Sequence, residues 1–131
     1  GMSIVAEEQP LLGLRLLLVE DNVVNQEVAT DMLKAAGAVV VVADHGRDAL
    51  QRLREQPFDG VLMDCQMPVM DGFEVLDELL KLPPEPLATL KVIMLSSSLD
   101  NRDRERAMEN ELVQHFLSKP LTYTSIKEVL S

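Results

Sequence analysis

An acidic pair, Glu20-Asp21, a further acid, Asp64, a hydroxyl, Ser96, and a Lys119-Pro120 step each come just after a short apolar run. If the tips of those runs converge, three carboxylates, one hydroxyl and one ammonium share a single hollow. Three carboxylates a few ångströms apart repel, so either some stay protonated or a hard cation neutralises them. A divalent ion is the simpler solution. Magnesium suits a few carboxylates plus retained waters, manganese is the close substitute, and no D-x-D-x-D-G loop of the calcium-binding kind occurs. With a divalent ion and Lys119 the charges of the three acids cancel, and the hollow then tolerates an arriving phosphoryl group. A carboxylate at such a place can act as nucleophile and form an acyl phosphate. Asp64 is the candidate, with Lys119 and Ser96 as donors to phosphoryl oxygens.

The runs that must position these groups are Leu14 to Val19, Ala38 to Ala43, Gly60 to Met63, Lys91 to Leu95 and His115 to Leu117. Segments of helical period separate them, and this alternation is the signature of strand-helix-strand units feeding a parallel sheet. Val24, Val28, Met32 and Leu33 mark the apolar face of a first helix, with Gly37 as its left-handed cap. Arg47 to Glu55, Phe73 to Lys81 and Tyr123 to Leu130 show one apolar face each. Asn101 to Glu111 is so rich in charge that mainly Ala107 and Met108 remain to be buried. Runs such as Val39-Val40-Val41-Val42, apolar at consecutive positions, indicate strands covered on both faces. An α/β fold follows, a doubly wound five-stranded parallel sheet in a three-layer sandwich, with its ligand site beyond the carboxyl ends of the strands.

The 131 residues match one domain, and 47% apolar with 26% charged residues is globular composition. A formal charge of −10 repels phosphate backbones and anionic lipid headgroups, so direct nucleic-acid or membrane contact is not expected. The longest purely apolar stretch, Ala38 to Ala43, falls far short of the roughly 20 residues of a membrane span. A lone cysteine, Cys65, fits a reducing, cytoplasmic setting. Residues 1–12 read as a linker or lead-in, Gly1-Met2 as a remnant of cloning, and 13–131 as the domain.

Taken together, VEDN at 19–22, MDCQMPVMDG at 63–72, LSSS at 95–98 and FLSKP at 116–120 resemble the receiver domain of two-component response regulators, in family order and across residues 14–130. The resemblance implies strand order 2-1-3-4-5, the flavodoxin-like arrangement, and a phosphoryl group accepted by Asp64 from a histidine kinase phosphohistidine. It assigns magnesium to Glu20, Asp21, Asp64 and the backbone carbonyl of Gln66, with Asp21 direct and Glu20 through water. It makes Ser96 and Phe116 the switch residues, Lys119 the family's usual lysine after the fifth strand, and the Lys119-Pro120 bond cis. Gln66 and Ser98 fall where the family tunes hydrolysis of the acyl phosphate. The wording of the motifs is closer to receivers joined to hybrid histidine kinases. The partners implied are a histidine kinase or phosphotransfer protein, an attached output or kinase domain, and a second copy on activation. Catalysis would be limited to self-phosphorylation and autodephosphorylation. Ser97, Leu112 and the charge-rich fourth helix depart from the family pattern, on the switch surface and away from the phosphorylation chemistry.

Each residue also has a plainer reading. Glu20-Asp21 alone would be a solvated helix start, Asp64 alone a capping carboxylate, and Lys119 alone a surface charge; together, at strand ends, they favour chemistry. Asp71-Gly72 reads as a turn and helix start, Cys65 as inert, His45 and His115 as structural, and Met63, Met67, Met70 and Met94 as apolar filler. A magnesium-dependent aspartyl phosphohydrolase would need D-x-D on its first strand, which is not present. A pseudo-receiver that only binds partners would normally lack one of the acids or the lysine, and none is missing.

Overall fold

The computed structural model describes residues 9–67, 70–82, 89–97 and 101–131. Five strands alternate with five helices: β1 Arg15–Val19, α1 Val23–Ala35, β2 Val39–Ala43, α2 Gly46–Glu55, β3 Gly60–Asp64, α3 Gly72–Leu80, β4 Lys91–Ser96, α4 Asn101–Glu109, β5 Val113–Ser118 and α5 Tyr123–Leu130. All pairings are parallel, in the order β2-β1-β3-β4-β5. Strand order reverses between β1 and β3, so a crevice forms beyond their carboxyl ends.

The strands' two-residue period divides the core in two. Leu17, Val19, Val61, Met63, Val92 and Met94 face α2 and α3, where Ala49, Leu50, Val75, Leu76 and Leu79 are buried. Leu16, Leu18, Leu62, Ile93 and Leu95 face α1 and α5, meeting Ala29, Leu33, Ile126, Val129 and Leu130. Helices therefore cover both faces of β1, β3 and β4, as consecutive apolar residues require. The valine run of β2 is different: β2 is an edge strand, and Val39 is 54% exposed.

Helix ends follow local chemistry. Asn22 caps α1, accepting from the Asn25 N–H, and Gly37, at φ +103°, closes it with Gly37 N–H to Lys34 and Ala38 N–H to Leu33 carbonyl bonds. His45 caps α2 through Nδ1, which accepts from the Asp48 N–H, so this histidine is structural. Asp71 and Glu74 form a capping box on α3, and Thr122 caps α5.

Three expectations are corrected. Val24 and Val28 are 65% and 48% exposed, because the buried line of α1 runs through Ala29 and Leu33. Met108 is exposed, and α4 buries Ala107 alone while the Arg106 guanidinium lies 4.0 Å from the centre of the Phe73 ring. Leu11, in the stretch expected to lead in, is fully buried, and its N–H donates to the Ala36 carbonyl at 2.9 Å. Pro83, Pro84, Pro86 and Ser98 lie outside the described residues. Among the described residues no helix is long and apolar enough to cross a membrane.

Candidate functional site

The crevice gathers the residues singled out by chemistry. Glu20 leaves the end of β1, fixed by its N–H to the Ala43 carbonyl and by Gln26 Nε2 donating to its own carbonyl. Asp64 ends β3, and Ser96 ends β4 one register step from Asp64, which pairs with Leu95. Lys119 follows β5, held by its N–H to the Ser96 carbonyl and by a cis bond to Pro120. Two stretches of backbone beyond the ladder thus tie β5 to β4 and β3 to β4, the second through the Cys65 N–H to the Leu95 carbonyl.

Lys119 Nζ donates to Asp64 Oδ2 at 2.6 Å and to Glu20 Oε2 at 3.0 Å. Both acids are almost fully buried, Glu20 2% and Asp64 4% exposed, whereas Asp21 faces solvent. Ligand oxygens of Glu20, Asp21 and Asp64 lie within 4.8 Å of one another. Burial pushes the Glu20 carboxyl above its ordinary range; the Lys119 hydrogen bond pulls it down, and the charge of Asp64 pushes it up again. Burial works against the Lys119 ammonium, yet its hydrogen bonds to Asp64 and Glu20 outweigh this and hold its pKa up. One part-buried cation therefore serves two buried acids with a third at the rim, a hard-oxygen, net-negative set that fits a small divalent cation.

Supporting contacts complete the arrangement. The Gln66 N–H donates to Asp64 Oδ1 at 3.0 Å, leaving Oδ2 to Lys119. The Asn22 N–H and Asn25 Nδ2 donate to Glu20 Oε1, both at 3.3 Å. Gly72 is required by close approach: a Cβ there would stand 2.5 Å from the Asp64 carbonyl oxygen and 2.7 Å from Met94 Cε. Phe116 is half-buried, opposite Met94 in register and packed on the core beneath α2 and α3. Cys65 is buried, and burial, followed by the charges of Asp103, Asp64 and Asp71, pushes its thiol up to about 12, so it is inert. Ser97 is exposed, and Leu112 packs at the core's edge.

Sequence reasoning missed Asn25 and Asp103. The first had a signal, since Asn25 lies one helical turn beyond the Asn22 cap. The second had none: Asp103 Oδ2 sits 3.5 Å from both Ser96 Oγ and Gln66 Nε2 only because α4 docks there.

Comparison with known proteins agrees with this geometry. The family model for the response regulator receiver domain matches residues 16–131. Hybrid signal transduction histidine kinase B of Dictyostelium discoideum is 31% identical over 121 residues, covering 86% of this chain and 6% of the relative. Two-component response regulator ORR41 of Oryza sativa subsp. japonica is 55% identical over 65 residues, 47% of this chain and 51% of the relative. The chain thus spans a small fraction of the kinase and about half of the regulator. Among solved structures, the receiver domain of sensor histidine kinase PA1611 from Pseudomonas aeruginosa PAO1, described with a magnesium ion coordinated in its active site cleft, superposes with a TM-score of 0.80 at 31% identity, covering 90% of this chain and 94% of that one. A point mutant of the receiver domain of the histidine kinase CKI1 from Arabidopsis thaliana gives 0.81 at 29% identity, with 95% and 94% covered. With β1, β3, β4 and β5 bringing their acids, hydroxyl and lysine to one crevice, the chain belongs to the response regulator receiver domain family of two-component signalling.

Proposed function

We propose that Asp64 is the phosphoacceptor of this receiver domain. The observation that carries the reading is the ammonium of Lys119 shared between Asp64 and Glu20 at the mouth of the crevice, with Asp21 beside them. An Asp64 carboxylate oxygen attacks the phosphorus of a phosphohistidine: the O–P bond forms, the P–N bond breaks, and the imidazole leaves with the electron pair and is protonated. Lys119 offsets charge on the phosphoryl oxygens, and Ser96 donates its hydroxyl to one of them. Hydrolysis by water returns Asp64 and inorganic phosphate.

Glu20, Asp21, Asp64 and the Gln66 carbonyl would hold magnesium, or manganese, with Asp21 direct and Glu20 through water. Bound there, the ion supplies positive charge to the phosphoryl oxygens. Ser96 and Phe116 carry the switch, and Gln66 and Ser98 influence the lifetime of the acyl phosphate. The domain is residues 13–131 with Leu11 packed onto its core, within a larger hybrid kinase or regulator in the cytoplasm. Its partners are a histidine kinase or phosphotransfer protein and, on activation, a second copy.

The test is incubation with phosphoramidate and magnesium followed by intact mass. One added phosphoryl group in the native chain, absent in Asp64→Asn and without magnesium, supports the reading. No added mass with phosphoramidate or acetyl phosphate overturns it in favour of a partner-binding pseudo-receiver.

A further inference from the structure

Beyond the crevice acids, α4 brings one carboxylate to the edge of the site. Asp103, half-buried in the first turn of α4, places Oδ2 3.5 Å from Ser96 Oγ and 3.5 Å from Gln66 Nε2. Ser96 is 1% exposed, so its hydroxyl has little access to water. The two donors flank Asp64: Ser96 closes the neighbouring strand, and the Gln66 N–H holds Asp64 Oδ1. The same carboxylate is the largest charge influence on the buried Cys65 thiol, which places its field inside the site.

We infer that Asp103 is a positioning residue for the phosphoryl-transfer reaction, holding the Ser96 hydroxyl toward α4 so that an arriving phosphoryl group must compete for it. The inference rests on Asp64 being the phosphoacceptor. A serine hydroxyl has one proton to give. While Asp103 accepts it, a phosphoryl oxygen on Asp64 cannot, and transfer proceeds only as Ser96 turns from one anion to the other. In the transfer from acetyl phosphate, the bond from phosphorus to Asp64 forms as the bond to acetate breaks, and acetate leaves with the electron pair. Asp103 takes no part in that exchange of bonds. It sets the fraction of molecules whose Ser96 is ready to donate, and through α4 it links this choice to the helix that carries it.

α4 is dominated by Arg102, Asp103, Arg104, Glu105 and Arg106, and of these Asp103 is the acid that reaches the crevice. Arg106 is committed to the Phe73 ring, which keeps the helix seated on α3.

The experiment measures rates of phosphorylation by acetyl phosphate with magnesium for native, Asp103→Ala, Ser96→Ala and the double variant. Releasing the hydroxyl is expected to raise the rate about three- to fivefold in Asp103→Ala, the size of one ordinary, long hydrogen bond. The gain must vanish when Ser96 is already alanine, and Asp103→Glu must restore the native rate in part. A merely structural role would not produce that loss of additivity. A gain that persists undiminished in the Ser96→Ala background, or no gain at all, overturns the proposal. Urea midpoints of the same four proteins without magnesium read the contact independently of phosphorylation: a coupling between the two sites supports it, and strict additivity overturns it. Native protein that takes no phosphoryl group while the midpoints are coupled overturns the phosphoacceptor reading, and the positioning role with it; phosphorylation with additive midpoints overturns the positioning role alone.

Discussion

Replacing Lys119 by Met keeps the length of the side chain and removes its charge. Two acids, Glu20 and Asp64, with side chains 3% and 6% exposed, then face each other without the ammonium at 3.0 and 2.6 Å. At an effective dielectric near 20, a unit pair about 3 Å apart attracts by roughly 5 kcal/mol, most of which is returned to desolvation of the charges. Breaking a buried pair from one side typically costs about 3 to 5 kcal/mol. Since the Lys119 side chain keeps 14% of its surface, the low end applies. Urea unfolding at neutral pH with EDTA should find Lys119→Met less stable by about 3 kcal/mol. The pH dependence gives the sign. Lys119 is one of the influences pulling the Glu20 pKa down, so its loss lets burial and Asp64 push that pKa further up. A carboxyl with a raised folded-state pKa contributes most when protonated, below its unfolded value, and loses that contribution as pH rises through the folded value. The variant's deficit should therefore shrink on acidification. Magnesium should stabilise the variant more than the native chain, because it meets two acids with no competing ammonium. Equal stability of the two proteins in EDTA, or a deficit that grows as pH falls, would refute the reasoning.

Gly72→Ala forces a methyl to within 2.5 Å of the Asp64 carbonyl oxygen, so β3 and α3 must part. Urea midpoints should fall by the equivalent of about 1 to 3 kcal/mol, with slower phosphorylation as Asp64 shifts. Leu11→Ala empties a fully buried site between β1 and α1 and should cost about 2 to 5 kcal/mol in the same assay, whereas an unpacked lead-in would lose nothing. Cys65, with its thiol pushed up to about 12, should resist iodoacetamide at mildly alkaline pH and react only after urea unfolding or as pH climbs far above the ordinary thiol range. Rapid alkylation of the folded chain would show the thiol to be exposed or activated.

The acids, hydroxyl and lysine were legible because a parallel sheet sends the residues after each apolar run to one edge, and a local pattern suffices to find them. Helix caps were legible for the same reason: Gly37 and Asp71 act through neighbours a few residues away. What failed depends on distant parts of the chain. The valine run of β2 reads as doubly covered, and Val41 packs on one face with Val40 and Val42 on the other, but strand order leaves it at an edge and Val39 in solvent. Periodicity gives α1 an apolar face without telling which turns another element covers, so Val24 and Val28 read as core. Leu11 has no periodic neighbours to mark it, and its burial arises from the gap between the α1 end and the sheet. Asp103 looks like one more charge on a solvated helix until α4 docks beside Ser96.

The phosphoacceptor assignment is tested most directly by locating the modified atom. The chain is phosphorylated with phosphoramidate and magnesium, the acyl phosphate is trapped by borohydride reduction, and peptides are sequenced by mass spectrometry. The account predicts a reduced side chain at Asp64, in the peptide containing Cys65 and Gln66, and at no other acid. A reduced residue at Glu20, Asp21 or Asp103 with Asp64 intact would contradict it.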